Sequence, residues 1–131
     1  MDRQEYRVAG LAEPVSHYTD AVRYGDLVFL SGAGPVDVQG RLVGGSDITA
    51  QTRQVFENIK AMLEAVGAAF RDILKVTVYL ADIEDREAIN EVRREYFGDS
   101  KPASTLIEIS RFVLPGMKLE IEAVVGLRPA E

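Results

Sequence analysis

Hydrophobic and polar residues alternate between residues 102 and 125, and this alternation predicts two β-strands. In the second strand the odd positions are apolar and the even positions are mostly charged, as in the run Met117, Lys118, Leu119, Glu120, Ile121, Glu122. A period of two residues is typical of a strand with one buried face. The segment Leu114-Pro115-Gly116 provides a turn between the two strands. We therefore expect the strands to be neighbours and their hydroxyl and acidic side chains to converge into a site.

Four further strands are predicted, three of them before the first helix. They cover about residues 4–8, residues 21–24, residues 27–33 and residues 73–80. The pair Gly25-Asp26 is typical of a hairpin turn between the second and third of all the strands. Residues 27–30 are apolar on both faces, which predicts a central strand that is covered on both sides. In the strand at residues 73–80, the apolar face is expected to hold Leu74, Val76, Val78 and Leu80.

Two amphipathic helices are predicted from apolar residues that recur at intervals of three and four. The first helix follows Ser46 or Asp47, either of which can cap it, and ends near Gly67, where a left-handed backbone is favoured. The second runs from about Glu84 to Phe97. Its acids lie near its start and its arginines nearer its end, as the helix dipole favours.

The predicted element order is β-β-β-α-β-α-β-β, in a single domain that spans residues 1–131. Right-handed β-α-β crossovers then place both helices on one face of a mixed sheet, which is an α+β sandwich of two layers. Two helices can cover one face of such a sheet but not both. Because the second face also carries apolar residues, we expect a copy of the same chain to cover it.

The composition narrows the functional classes. The chain has 131 residues, a formal net charge of −6 and no cysteine. This acidic balance disfavours nucleic-acid binding, because such proteins usually present a basic patch, and the lack of thiols excludes disulfides and a cysteine nucleophile. No apolar run is long enough for a membrane helix, and the N-terminal residues lack the apolar segment of a signal peptide. We therefore expect a cytoplasmic protein with neither a nucleic-acid nor a membrane partner.

Several segments, taken in order, resemble the RidA/YjgF/UK114 family of reactive-intermediate (enamine and imine) deaminases. They are Tyr18, the strand end Leu30-Ser31-Gly32, the helix QTRQVFENIKAMLEAVGA, the segment ILKVTVYLADIEDREAINEVRREYF, Pro102-Ala103 and KLEIEAVV. The resemblance covers nearly the whole chain and implies a chorismate-mutase-like fold. It also implies a homotrimer whose open sheet faces form a central barrel, with three small-molecule clefts between subunits. The function it implies is that of a cofactor-free hydrolase.

By the same resemblance, one catalytic acid and several binding groups can be assigned. They are Glu120 as the catalytic residue, with Tyr18, Ser31, Gly32, Asn90, Ser104 and Leu106 around the ligand. The family usually has an arginine directly after Pro-Ala, as P-A-R-S/T, and this chain has Ser104 there. A serine cannot make the two charge-assisted hydrogen bonds of an arginine to a carboxylate. We therefore expect iminoacids of the usual kind to be poor substrates, in a pocket that Leu106 makes more apolar.

Glu120 is the candidate catalytic group, because a carboxylate in a partly dry cleft has a raised pKa and can deliver or accept a proton near neutral pH. The alternative is a solvated acid on a strand, paired with Lys118 or Lys75. His17 is the only histidine, and we expect it to be an exposed loop residue. Acids without a histidine pattern make a poor transition-metal site, so no metal is expected.

The binding residues also have purely structural interpretations. Tyr18 can be a loop tyrosine that packs on the domain edge, Ser31-Gly32 a strand end that needs small residues, and Asn90 an exposed helix residue. Two other functions stay open as well. One is a non-catalytic ligand-binding or regulatory trimer, and the other is the endoribonuclease or translation-inhibitor role often attached to the family, against which the acidity argues.

Overall fold

The computed structural model describes residues 1–129, which form six strands, two α-helices and two short 3-10 turns. The strands are β1 (Arg3–Tyr6), β2 (Ala21–Tyr24), β3 (Leu27–Ala33), β4 (Ile73–Leu80), β5 (Ala103–Glu108) and β6 (Leu119–Gly126), and the helices are α1 (Ile48–Ala65) and α2 (Arg86–Phe97). The 3-10 turns are Phe70–Asp72 and Ile83–Asp85. The predicted element order is therefore confirmed. The first strand lies slightly earlier than residues 4–8.

All six strands form one mixed sheet in the order β1-β2-β3-β6-β4-β5. Strand β5 pairs with β4 in parallel, and the other pairs are antiparallel. The expectation that β5 and β6 are neighbours is wrong, because β4 lies between them. The physical reason is the parallel crossover through α2, which carries the chain to the outer side of β4 and makes β5 an edge strand.

The helices begin and end at residues with recognisable capping roles. The side chain of Asp47 accepts hydrogen bonds from the amides of Thr49 and Ala50 at 2.9 and 3.3 Å, so Asp47 is the cap of α1. Gly67 follows α1 with φ of +74°, which glycine adopts without strain. The second helix starts at Arg86 rather than Glu84, because residues 83–85 form a 3-10 turn. No helix within residues 1–129 is long and apolar enough to cross a membrane.

One hydrophobic core lies between the sheet and the two helices. Each central strand sends alternate side chains into it, and α1 and α2 contribute one apolar face each. An aromatic cluster of Phe56, Phe70, Tyr96 and Phe97 joins the helices, with ring centroids 5.1 to 6.0 Å apart. The α+β two-layer architecture is thus confirmed.

The face of the sheet away from the helices is open in the single chain. Leu27 and Phe29 on β3 are 41% and 46% exposed, although Val28 and Leu30 between them are buried. The expectation that this strand is covered on both sides is therefore not met within one chain. Exposed apolar side chains on a sheet face mark a surface that a partner can cover.

Leu74 departs from the predicted apolar face of β4. It is 51% exposed, whereas Val76, Val78 and Leu80 are buried as predicted. The pairing of β4 with β6 shifts register between Ile73 and Lys75. This bulge inserts one residue and turns Leu74 out of the core, where its side chain packs beside Gly126.

Candidate functional site

The larger cleft of the chain has a volume of about 490 Å³ and lies where β3 ends and β6 begins. Its walls come from the loop that precedes β2, from α1 and from the segment that leads into β6. Four of the residues proposed from the sequence line it, namely Tyr18, Ser31, Gly32 and Glu120. The walls also hold apolar residues, among them Leu11, Val15, Met62, Val113, Leu114 and Met117.

Three acids line this cleft, Glu13, Asp20 and Glu120, and within residues 1–129 only Glu120 forms no salt bridge. It is half-buried on β6 between the buried residues Leu119 and Ile121, so its side chain lies on the sheet face away from the helices. Burial raises the pKa of Glu120, and the negative charge of Glu122 raises it further. Neither Lys118 nor Lys75 forms a salt bridge with it within residues 1–129. Such a carboxyl group can hold a proton at a higher pH than an exposed glutamate can.

A second acid on the same strand stands beside Glu120. Glu122 accepts a hydrogen bond from the hydroxyl of Tyr79 on the neighbouring strand β4. This hydrogen bond, followed by burial, raises the pKa of Tyr79, so the tyrosine keeps its proton and goes on donating. The contact fixes the orientation of Glu122, and with it the direction from which its charge acts on Glu120.

Gly32 provides the space that the Glu120 carboxylate occupies. A β-carbon built on Gly32 would lie 2.8 Å from Glu120 Cδ, which is closer than real carbon contacts. Ser31 and Gly32 also lie in a register shift, since three steps on β3 from Leu30 to Ala33 match two on β6. A bulge of this kind is frequent beside functional sites because it redirects the backbone.

The other two proposed residues of the cleft differ in what they offer a ligand. Tyr18 is 49% exposed and lines the cleft. The Ser31 hydroxyl donates to the carbonyl oxygen of Thr19, and the Ser31 amide donates to the carbonyl of Asp20. Ser31 therefore holds the loop before β2 against β3, and its role at the site is to position that loop.

Two residues that the sequence did not single out also organise the cleft. Gln51 is fully buried in α1, where its amide donates to the carbonyl of Gly116 at 2.9 Å and its oxygen accepts from the amide of Lys118 at 2.8 Å. It thereby fixes the start of β6, two residues before Glu120. Asp20 is buried in the wall and accepts from Arg7 and from the amide of Val8. A glutamine within the apolar stripe of α1 is the signal that could have identified Gln51.

The remaining proposed residues, Asn90, Ser104 and Leu106, lie elsewhere. Ser104 and Leu106 pair in parallel register with Val76 and Val78, which are buried under the helices, so they lie on the helix face of β5. Glu120 lies on the opposite face of the sheet. Asn90 lines a second cleft of about 310 Å³ beside the end of α2. Neither Ser104 nor Leu106 lines either cleft, although Ser104 contacts Arg93 of the second one, so the proposed residues stay separated within one chain.

His17 is exposed, as expected, and does not line the larger cleft. Between residues 1 and 129, no three histidine, aspartate or glutamate side chains are grouped closely enough to hold a metal ion. The chemistry that these residues themselves offer is proton transfer by Glu120 and hydrogen bonding by the groups around it.

Comparison with known proteins gives consistent matches over most of the chain. Residues 10–126 match the family described as endoribonuclease L-PSP. A RutC family protein of Pyrococcus horikoshii is 49% identical over 114 residues, which cover 86% of this chain and 88% of that protein. A 2-iminobutanoate/2-iminopropanoate deaminase of Dermatophagoides farinae is 33% identical, with the same coverage. The crystal structure of the yeast protein YEO7 superposes with a TM-score of 0.92 at 31% identity and covers 97% of this chain and all of that one.

Proposed function

The chain belongs to the endoribonuclease L-PSP family, also known as the RidA/YjgF family, and from this premise we propose that it is a cofactor-free hydrolase that deaminates a small imine or enamine. The observation that carries the proposal is Glu120, a half-buried acid with a raised pKa in a cleft of about 490 Å³. A carboxyl group of this kind can exchange a proton near neutral pH. One relative in the family is a 2-iminobutanoate/2-iminopropanoate deaminase.

Hydrolysis of an imine needs one group that can give and take a proton. Protonated Glu120 gives its proton to the imine nitrogen, which makes the C=N carbon more electrophilic. The Glu120 carboxylate then takes a proton from the water that attacks this carbon. Glu120 then gives its proton to the amine nitrogen of the resulting carbinolamine, the C–N bond breaks as ammonia leaves, and the hydroxyl proton returns to Glu120 as the carbonyl group forms. An enamine enters the same sequence after it takes up a proton on carbon and becomes the iminium ion.

We further propose a homotrimer in which the two groups of site residues meet between subunits. Tyr18, Gly32 and Glu120 would come from one subunit, and Asn90 and Ser104 from its neighbour. The separation of the two groups in the single chain supports this arrangement, as do the exposed side chains of the open sheet face. Closing the cleft would also exclude water and strengthen the electrostatic effects around the acid.

The specificity is expected to differ from that of arginine-bearing relatives. Ser104 stands where the family usually has an arginine, whereas Leu106 on the same strand packs against the hydrophobic core. The apolar lining of the larger cleft, which includes Met62 and Leu114, favours substrates with a short hydrocarbon part. A cytoplasmic location stays an expectation from the sequence.

A non-catalytic ligand-binding trimer is the second candidate, and the serine at position 104 is the observation that favours it. The endoribonuclease activity in the family's description is less favoured here, because a net charge of −6 opposes the approach of a polyanion. Salt-sensitive, submicromolar binding of RNA to the purified protein would contradict this view.

The test is ammonia release from several small imines generated in situ, among them 2-iminobutyrate and the uncharged imine of butan-2-one, with and without the purified protein. We expect the wild type to accelerate release and Glu120→Gln to abolish the acceleration, because an amide cannot exchange the proton. A protein that binds 2-oxobutyrate but never accelerates release would support the non-catalytic candidate and contradict the hydrolase.

A further inference from the structure

The second cleft is basic, although the protein as a whole is acidic. Its volume is about 310 Å³, and it lies between the end of α2 and the start of β5. Three cations line it, Arg93, Arg94 and Lys101, together with Asn90 and with no acidic side chain. Within residues 1–129 none of these cations forms a salt bridge. The salt bridges among the described residues all involve other arginines, namely Arg3, Arg7, Arg41, Arg53 and Arg128.

Arg93 is the most constrained of the three cations. It is half-buried on α2, whereas Arg94 and Lys101 are exposed. Its Nη1 atom donates to Ser104 Oγ at 3.2 Å, and burial lowers the pKa of Arg93. A neutral hydroxyl offsets little of the cost of desolvating a guanidinium, which an anionic partner would offset far better.

We propose that Arg93, oriented by Ser104, forms the anion subsite of the ligand cleft and holds a carboxylate group of the substrate. The guanidinium lies within hydrogen-bond distance of the Ser104 hydroxyl. A guanidinium supplied from α2 thus stands in for the one that β5 lacks. The expectation of poor carboxylate binding, which came from the sequence, is based on Ser104 alone. The contact between Ser104 and Arg93 removes that basis, because it places a guanidinium beside the serine.

The donors present match a carboxylate. Arg93 retains N–H groups besides the one that Ser104 accepts, and the planar guanidinium can present two of them to two oxygens. The Asn90 amide lies in the same cleft and adds a donor. The outer cations Arg94 and Lys101 raise the local potential without fixing the geometry. The substrate class is therefore a small imine or enamine that carries a carboxylate.

This inference rests on the proposed function for the identity of the substrate and on the proposed trimer for the approach of Arg93 to Glu120, whereas the anion subsite itself can be tested by binding alone. The probe is 2-oxobutyrate, and butan-2-one is its uncharged counterpart. Each compound is titrated into the purified protein, and binding is followed by NMR or calorimetry. We expect Arg93→Gln to raise the Kd of 2-oxobutyrate roughly tenfold to a hundredfold, as loss of a charge-assisted hydrogen bond implies. Binding of butan-2-one should not change.

The matched control is Arg86→Gln, which removes the same charge from an exposed position of α2 outside the cleft. Its Kd for 2-oxobutyrate should stay within about twofold of the wild type, whereas Arg93→Lys should retain part of the affinity. In the Arg93→Gln background, Ser104→Arg should restore carboxylate binding, because it returns a guanidinium to the same space. Folding of every variant is checked by circular dichroism.

Several results would overturn the assignment. They are unchanged 2-oxobutyrate binding in Arg93→Gln, an equal loss in Arg86→Gln, and tighter binding of inorganic phosphate than of 2-oxobutyrate. If binding of 2-oxobutyrate depends on Arg93 but no ammonia is released, the result would support the proposed anion subsite and contradict the proposed hydrolase. If Arg93→Gln binds 2-oxobutyrate and releases ammonia as well as the wild type does, the result would support the proposed hydrolase and contradict the proposed anion subsite.

Discussion

The carboxylate of Glu120 lies directly against the α-carbon of Gly32, so that an added β-carbon would stand 2.8 Å from Glu120 Cδ. Gly32 does not have a left-handed backbone, and an alanine fits its main-chain conformation. What an alanine would displace is the end of a flexible side chain, and that side chain is the proposed catalytic acid. The space at position 32 therefore serves the placement of Glu120 and not the stability of the strand.

Gly32→Ala is accordingly expected to reduce the proposed deaminase activity by at least tenfold with little change in Tm, because misplacing a reacting group by about 1 Å has a large kinetic cost. The matched control is Gly126→Ala on β6. There too a β-carbon would meet only a flexible side chain, Leu74 at 3.0 Å, and the larger cleft does not include that position. Equal activity losses in both variants, or wild-type activity in Gly32→Ala, would contradict this role.

Glu120→Gln should stabilise the protein at neutral pH while it abolishes activity. Folding raises the pKa of Glu120, so the folded state binds this proton more tightly than the unfolded state does. The glutamate therefore contributes most to stability at acidic pH, and that contribution is lost as the pH rises through the raised pKa. We expect Tm to increase by a few degrees at pH 7 to 8, and the increase to vanish near pH 4.

Thermal unfolding at several pH values measures this effect. Glu91→Gln, an exposed position of α2, should give no comparable gain. A lower Tm for Glu120→Gln at pH 8 would show that the ionised carboxylate is stabilising, contrary to the direction of its pKa shift.

Much of the fold could be predicted from local patterns. The bounds of β2, β3 and β4 and the capping of α1 by Asp47 follow from alternation, turn residues and capping chemistry within a few neighbouring positions. The neighbour relation of β5 and β6 could not be obtained in this way, because the sheet order depends on the parallel crossover through α2. The outward position of Leu74 depends on a bulge that only the pairing with β6 creates.

The candidate site, like the fold, could be predicted from the sequence only in part. Glu120 and Gly32 could be proposed from their positions in strands that resemble those of a known family, but their close approach depends on the register shift between β3 and β6. The contact of Arg93 on α2 with Ser104 on β5 joins two residues that are 11 positions apart in sequence. Neither local alternation nor the family pattern, which places its arginine on the strand, could indicate that contact.

The proposed trimer predicts that the open sheet face is buried between subunits. Light scattering should give a mass about three times 14.4 kDa at micromolar concentration. Phe29→Lys should weaken the assembly, because it would put a charge on the exposed sheet face that the proposed contact buries. Val38→Lys, at a similarly exposed loop position, should leave it intact. A monomeric wild type, or a Phe29→Lys variant with unchanged mass, would contradict the proposed interface.

Glu122→Gln should shift the pH dependence of the reaction. After burial, the charge of Glu122 is the second cause of the raised pKa of Glu120, so removing that charge lowers the pKa of Glu120. The limb of the kcat/KM profile that reports Glu120 should then move to lower pH, by less than the full shift because burial remains. The glutamine oxygen can still accept the hydrogen bond of Tyr79, which keeps the side chain in place. Glu64→Gln, an exposed acid of α1, should leave the profile unchanged. A limb that stays fixed or moves to higher pH in Glu122→Gln would show that Glu122 does not set the protonation of the catalytic acid.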